Sequence, residues 1–293
     1  MLLLVSFRTN LLWIAACAGL GCAAVKADRG VPNGGEARGT GGTAVGSSPG
    51  DRGGTGGVVV ATPDAGLFTA DVVPTTCTQL NIGILGNPGA NQSSNFQKWL
   101  EAKGTTVRRI QTTPDVPLTA DELHPFDVIV VDSLSREYTA DEAAVFGAWV
   151  NAGGGVASMS GYYDDTSRDW RANSLLSAIG LAYSGDRIWG PVMKFATHPI
   201  TASLTSVTFT GGYPVSDLGG PGARTPLAFI PSNGNDIPVA YAAEVGAGKA
   251  FVWGDEWIEF DSEWSTLPQI PRLWLQIFSW IAPGDRCMLT GIG

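Results

Sequence analysis

The chain has 293 residues, with 18 Lys and Arg against 27 Asp and Glu, a formal charge of −9 at pH 7. That balance argues against a nucleic-acid binder, which needs a basic stripe to displace counterions from phosphate. A hydrophobic content of 44% is ordinary for a globular protein and excludes a wholly disordered chain.

The first segment, residues 1–22, reads MLLLVSFRTNLLWIAACAGLGC. Arg8 precedes an apolar run, residues 11–20, that ends in small residues and a Cys, the layout of a secretory signal. The run is too short to span a bilayer as a stable helix, and nothing else in the chain suggests a polytopic membrane protein. A signal closing on small residues plus Cys resembles that of a bacterial lipoprotein. Such a protein is exported and held in the envelope membrane by a lipid on its cysteine. Cys22 leaves the better apolar core length and is the expected lipidation site; Cys17, after Ile14-Ala15-Ala16, is the alternative. Ala23, rather than Asp, follows Cys22, which by the common sorting rule points to the outer membrane.

Residues 23–76 form the expected linker. Within residues 30–57 there are 12 glycines in 28 positions, and no aromatic residue occurs between Trp13 and Phe68. Such a stretch cannot bury enough apolar surface to offset its chain entropy, so it is expected to act as a flexible leash. A domain over residues 77–287 follows, with a short tail at 288–293. Cys77 and Cys287 flank that domain. In the oxidising compartment an exported protein meets, they are expected to pair as a disulfide. No C-x-x-C is present to suggest zinc.

In chain order, residues 81–86 (NIGILG) read as a buried strand followed by a turn. Ser94-Asn95-Phe96-Gln97 has capping-box spacing and opens a helix with Phe96, Trp99 and Leu100 on its apolar face. Gly104 closes that helix. Residues 105–110 are a second strand, and residues 126–132 (FDVIVVD) a third, apolar enough to be buried on both faces. Thr139 to Glu142 is another capping box, opening a helix that carries Val145, Phe146, Trp149 and Val150. Residues 156–160 are a fourth strand. Residues 174–180 read as a helix, and residues 207–209 and 227–230 as short strands. Residues 238–245 and 249–253 read as a late hairpin, and residues 271–281 as a C-terminal helix between Pro271 and Pro283-Gly284. This alternation predicts an α/β fold: a mostly parallel sheet with helices on both faces, plus the hairpin and the last helix.

In such a sheet, ligands bind in the crevice outside the carboxyl ends of the strands. The residues expected there are Asn87, Asp132, Ser133, Ser160, Tyr162, Tyr163, Asp255, Glu256 and Trp257. Residues 254–264 (GDEWIEFDSEW) hold five carboxylates and allow several readings. Asp255 and Asp261 could take a hard cation such as calcium. A carboxylate pair could work on a glycoside. Trp257 and Trp264 could stack on a sugar. The bland alternative is a solvated acidic loop whose aromatics pack back onto the core. His124 and His198 sit in loops without a second His at ligand spacing. No G-x-S-x-G, G-x-G-x-x-G or G-x-x-x-x-G-K motif occurs, so no nucleotide cofactor is expected.

Several stretches together resemble the class I glutamine amidotransferase-like superfamily, in its ThuA-like and related branches. They are NIGILG, FDVIVVDS, TADEAAVFGAWVNAGGGVASMSG, HPIT, GKAFVWGDEW and RLWLQIFSWI, spread over residues 79–283. The resemblance implies a flavodoxin-like fold. It also implies a nucleophilic Cys in a G-x-C-x-G elbow, but here Ser158-Met159-Ser160-Gly161 occupies that stretch and Met159 stands at the nucleophile's place. A thioether cannot be activated as a thiolate. The expectation is therefore a non-catalytic binding domain for a glycan, a peptide or an envelope partner. The alternative is a ThuA-like carbohydrate hydrolase working through Asp132, Asp255 and Glu256, with Ser160 as a displaced nucleophile.

Overall fold

In the computed structural model, the residues described are 78–88, 92–110, 113, 115–160 and 169–288. Cys17, Cys22, Cys77, Tyr162 and Tyr163 lie outside them, as do the expected signal and linker.

The sheet is assembled from strands whose alternate residues feed two separate cores. In β1 (Asn81–Leu85) and β3 (Val128–Val131), Ile82, Ile84, Val128 and Val130 face one core, while Leu85, Ile129 and Val131 face the other. A strand presents successive side chains to opposite faces, so a run of apolar residues is what burial on both sides demands. The remaining strands are β2 (Thr106–Ile110), β4 (Gly155–Met159), β5 (Lys194–Phe195), β6 (Arg224–Ser232), β7 (Asn235–Val245) and β8 (Gly248–Trp253). Their spatial order is β2-β1-β3-β4-β8-β7-β6-β5. The first five are parallel, and β8, β7, β6 and β5 pair antiparallel in succession. The parallel part has the flavodoxin-like order 2-1-3-4-5, with β8 in fifth place.

Helices cover both faces. On one side lie α1 (Ser94–Ala102), through Phe96, Trp99 and Leu100, and the last helix, α6 (Gln269–Ile281), through Leu273, Trp274, Ile277, Phe278 and Ile281. On the other lie α3 (Ala140–Asn151), through Phe146 and Val150, and α4 (Asn173–Leu176), through Leu175 and Leu176. Two short helices, α2 (Ala120–Leu123) and α5 (Asp261–Thr266), complete the set described. No helix among the described residues is long and apolar enough to cross a membrane.

Three local expectations change. The capping box expected at Ser94 to Gln97 does not form: the residue preceding α1 is Ser93, which makes no side-chain cap, and Gln97 turns to Glu101 instead. The cap comes from a distant carboxylate described below. The box at Thr139 and Glu142 does form. The strand expected at residues 207–209 is displaced to Thr210–Gly212, with Val207 making only an isolated bridge to Val192. The late hairpin is extended by β6 and β5 into an antiparallel wing, because β7 has a second edge to satisfy.

Candidate functional site at the carboxyl edge of the sheet

The strand order reverses at β1, which lies between β2 and β3, and the exits of these strands converge. Gly86 has φ +113°, and a Cβ there would sit 2.7 Å from the Ser133 carbonyl. Only glycine tolerates both demands. The close approach lets the Asn87 N–H donate to Ser133 O at 2.8 Å, so these two expected residues meet.

Asp132, at the exit of β3, is buried. Its carboxylate accepts from Arg109 Nη1 at 2.8 Å and from the Ser133 N–H at 2.7 Å. Arg109 comes from the end of β2, and the same Nη1 also donates to Gly86 O at 2.8 Å. Burial pushes the Asp132 carboxyl above its ordinary range, and the charge of Arg109 opposes that rise. A further hydrogen bond joins Asp132 to Glu259, whose side chain is fully buried. Two carboxyl groups can share a hydrogen bond only around a proton, so one proton is held between this pair.

The exit of β8 is built differently. Asp255 begins a one-turn 3₁₀ helix, Glu256–Glu259, and its carboxylate accepts from the Trp257 N–H at 3.4 Å and from the Thr210 N–H. The strand Thr210–Gly212 lies directly on this turn: a Cβ on Gly254 would fall 1.9 Å from Tyr213 O. Asp255 is 1% exposed, and burial raises its carboxyl to about 7. Glu256, Glu259 and Glu263 are buried as well. The reading of residues 254–264 as a solvated acidic loop whose aromatics pack onto the core is overturned in its solvated half: Asp255, Glu256, Glu259 and Glu263 turn inward, while the aromatics do pack as expected. Trp257 is half-buried, with its ring 5.6 Å from Phe260. Trp264 packs on Trp99 at 5.3 Å, half-buried against the core.

Asp261 is separated from Asp255 by its task. It accepts from the Ser94 hydroxyl and the Asn95 N–H, both at 2.7 Å, and so supplies the cap that α1 lacks locally. Among the described residues, no group of three or more His, Cys, Asp or Glu side chains is placed to hold a metal ion. His198 accepts from the Ile200 N–H through Nδ1 and packs against Trp280, while His124 ends α2. Ser160 is buried beside Met159, whose thioether lies in the core under β4.

No protein-family model matches the chain, and no curated protein does. Solved structures do. The N-terminal domain of mmIFT52 superposes with a TM-score of 0.57 at 16% identity, covering 70% of this chain and 98% of that domain. The cytoplasmic protein STM1381 from Salmonella typhimurium LT2 gives 0.53 at 16%, covering 69% and 100%. A protein described as ThuA-like from Bacteroides uniformis gives 0.52 at 15%, covering 73% and 96%.

The fold is ThuA-like.

In that ThuA-like frame, the expected residues Asn87, Asp132 and Ser133 meet at one edge of the sheet, joined there by Arg109 and Glu259, which the sequence reading did not name. Arg109 was within reach of the rule that found Asp132, since it is a charged residue next to the carboxyl end of a strand. Glu259 had no such signal, because its partner is 127 positions away in the chain. Beside Arg109 a cavity of about 510 Å³ opens, bounded by Ser93, Ser94, Gln97, Lys98 and Glu101 of the α1 region.

Proposed function

We propose that this chain is an exported, lipid-anchored envelope protein whose ThuA-like domain is a binding module for a glycan, a peptide or an envelope partner, and not an amidotransferase. The observation that carries this reading is Met159. It ends β4, where the superfamily's thiol nucleophile would stand, and its side chain is 2% exposed within the core. A buried thioether neither attacks a carbonyl nor takes part in proton transfer. The carboxylates expected in the crevice are also occupied: Asp255 by backbone N–H groups, Asp132 by Arg109 and Glu259.

The anchoring half of the reading rests on the N-terminal pattern, with Cys22 as the lipidated residue and Cys17 as the alternative. A Cys77–Cys287 bridge belongs to the same reading. In its support, Thr78 pairs in parallel with Arg286, and Gln79 with Cys287, so the chain just after Cys77 runs beside Cys287.

The test is a thermal-shift screen of the exported chain against oligosaccharides and peptides, with product analysis of every mixture. A ligand at 100 times its dissociation constant adds about 2.7 kcal/mol of stability. The expected result is a rise in Tm without product. Release of ammonia from glutamine, or cleavage of a glycan, would overturn the binding-module reading. Incorporation of labelled palmitate, lost in Cys22→Ser, tests the anchor.

A further inference from the structure

We infer that the cavity beside Arg109 is a binding site for the carboxylate of an acidic sugar. The inference rests on the binding-module reading only in taking a glycan as the ligand class; the preference for a single negative charge comes from the cavity itself.

Three observations carry it. The first is how Arg109 is held. Among the described residues, one guanidinium nitrogen, Nη1, makes both hydrogen bonds to protein, to Gly86 O and to Asp132. Asp132 is buried behind it, whereas the Arg109 side chain keeps 20% of its exposure and lines the cavity. Among the described residues Nε and Nη2 make no hydrogen bond to protein. The guanidinium is thus fixed in orientation through Nη1, while the side chain keeps part of its surface on the cavity. A planar fork so fixed matches a carboxylate with two parallel hydrogen bonds and loses little further freedom on binding.

The second is the charge of the walls. Lys98 and Arg109 supply two positive charges, balanced by Glu101 on the wall and by the buried Asp132 that pairs with Arg109, in a chain whose formal total is −9. With no excess positive charge to meet a dianion such as phosphate, the site suits a monoanion that can use the Arg109 fork. The α1 N-terminus adds no unmet demand for an anion, because Asp261 already accepts its Asn95 N–H.

The third is size and lining. About 510 Å³ falls within the range of small-ligand sites, roughly 300–1,000 Å³. Ser93 and the carbonyl of Gln97, whose amide nitrogen is bound to Glu101, are suited to the hydroxyls of a sugar rather than to an apolar group.

The experiment uses the full exported chain and titrates sodium glucuronate, methyl glucoside and inorganic phosphate by calorimetry at low and at 0.5 M NaCl. Glucuronate is expected to bind at least tenfold more tightly than either comparison compound, and more weakly at high salt, because the site is part-exposed and screened. Lys98→Glu, at an exposed helix position, is expected to weaken glucuronate binding at least tenfold with Tm unchanged. Arg109→Gln should abolish binding but also uncovers Asp132, so Lys98→Glu decides. Equal binding of glucuronate and methyl glucoside, tighter binding of phosphate, or indifference to Lys98→Glu would overturn the inference. If a neutral glycan binds and Lys98→Glu leaves that binding intact, the binding-module reading stands and this inference falls. If no glycan of either kind binds, this inference falls, and the binding-module reading is then decided by the peptide arm of its own screen.

Discussion

Asp261 caps a helix that begins 167 residues earlier in the chain. Its Oδ2 accepts the Ser94 hydroxyl and its Oδ1 the Asn95 N–H, both at 2.7 Å. An anion here also meets the positive end of the α1 dipole. Asp261→Ala is expected to cost about 1–2 kcal/mol, read as a lower urea midpoint with unchanged slope. Asp261→Asn keeps one acceptor oxygen and should recover part of that loss. If Asp261→Ala unfolds at the wild-type midpoint, the cap is energetically silent.

The pH dependence of stability should carry the signature of Asp255. Burial raises its carboxyl to about 7 in the folded chain, against about 3.9 when unfolded. Between these values the folded state holds a proton that the unfolded state has released. Its contribution is therefore full below about pH 4 and is lost as pH rises through 7, a change of a few kcal/mol. Asp255→Asn, which cannot ionise, should flatten that interval. The check is a series of denaturant melts from pH 4 to 8 on both proteins, and parallel curves would refute the assignment.

Glu142 should act with the opposite sign. Its carboxylate accepts both terminal nitrogens of Arg136, at 2.9 and 2.5 Å, and the N–H groups of Leu118 and Thr139. Arg136 leads in holding it down at about 2. The stability it contributes is complete above the unfolded value near 4.3 and is lost as pH falls toward 2. Glu142→Gln is expected to cost about 3 kcal/mol at pH 7 and to remove most of the acid-side loss. Acid titration followed by far-UV circular dichroism reads both effects.

Gly254 offers a purely steric test. A Cβ there would lie 1.9 Å from Tyr213 O and 3.0 Å from the Phe209 ring, while the Tyr213 N–H is bound to Gly254 O at 2.8 Å. The strand over the Asp255 turn would have to lift. Gly254→Ala should cost ~3 kcal/mol and alter the near-UV spectrum through Trp253, whose ring lies 5.8 Å from Phe209. Gly284→Ala, where an added Cβ meets nothing within 4 Å, is the control and should change Tm little.

The elements that could be read from the sequence are those whose cause is local. FDVIVVD needs no partner to announce burial on two faces, and Leu273, Trp274 and Ile277 declare a helix by spacing alone. Thr139 and Glu142 lie three residues apart and form their box. Ser94 and Gln97 have the same spacing but are recruited elsewhere, because Asp261 and Glu101 offer better partners. The acidic stretch misleads for the same reason. Five carboxylates in eleven residues suggest water, but their burial is decided by Thr210, Ser94 and Asp132, which the chain delivers from three other regions. Arg109 sits in the alternating run Thr-Val-Arg-Arg-Ile of an edge strand, where a charge ordinarily means a solvated face. Only the strand order places it at the reversal point.

The two-residue ladder of Thr78–Gln79 with Arg286–Cys287 has a mechanical consequence. It is parallel, and hydrogen bonds from Thr78 N to Asp285 O and from Leu80 N to Cys287 O brace it at both ends. A pull arriving through the residues before Thr78 loads these bonds along the strand and all together, rather than peeling them singly. The load then passes through Arg286, which grips Asp127 at 3.0 Å, to the segment leading into β3. Force along this ladder is thereby shared between the first and last strands described, Thr78–Gln79 and Arg286–Cys287, before it reaches β1.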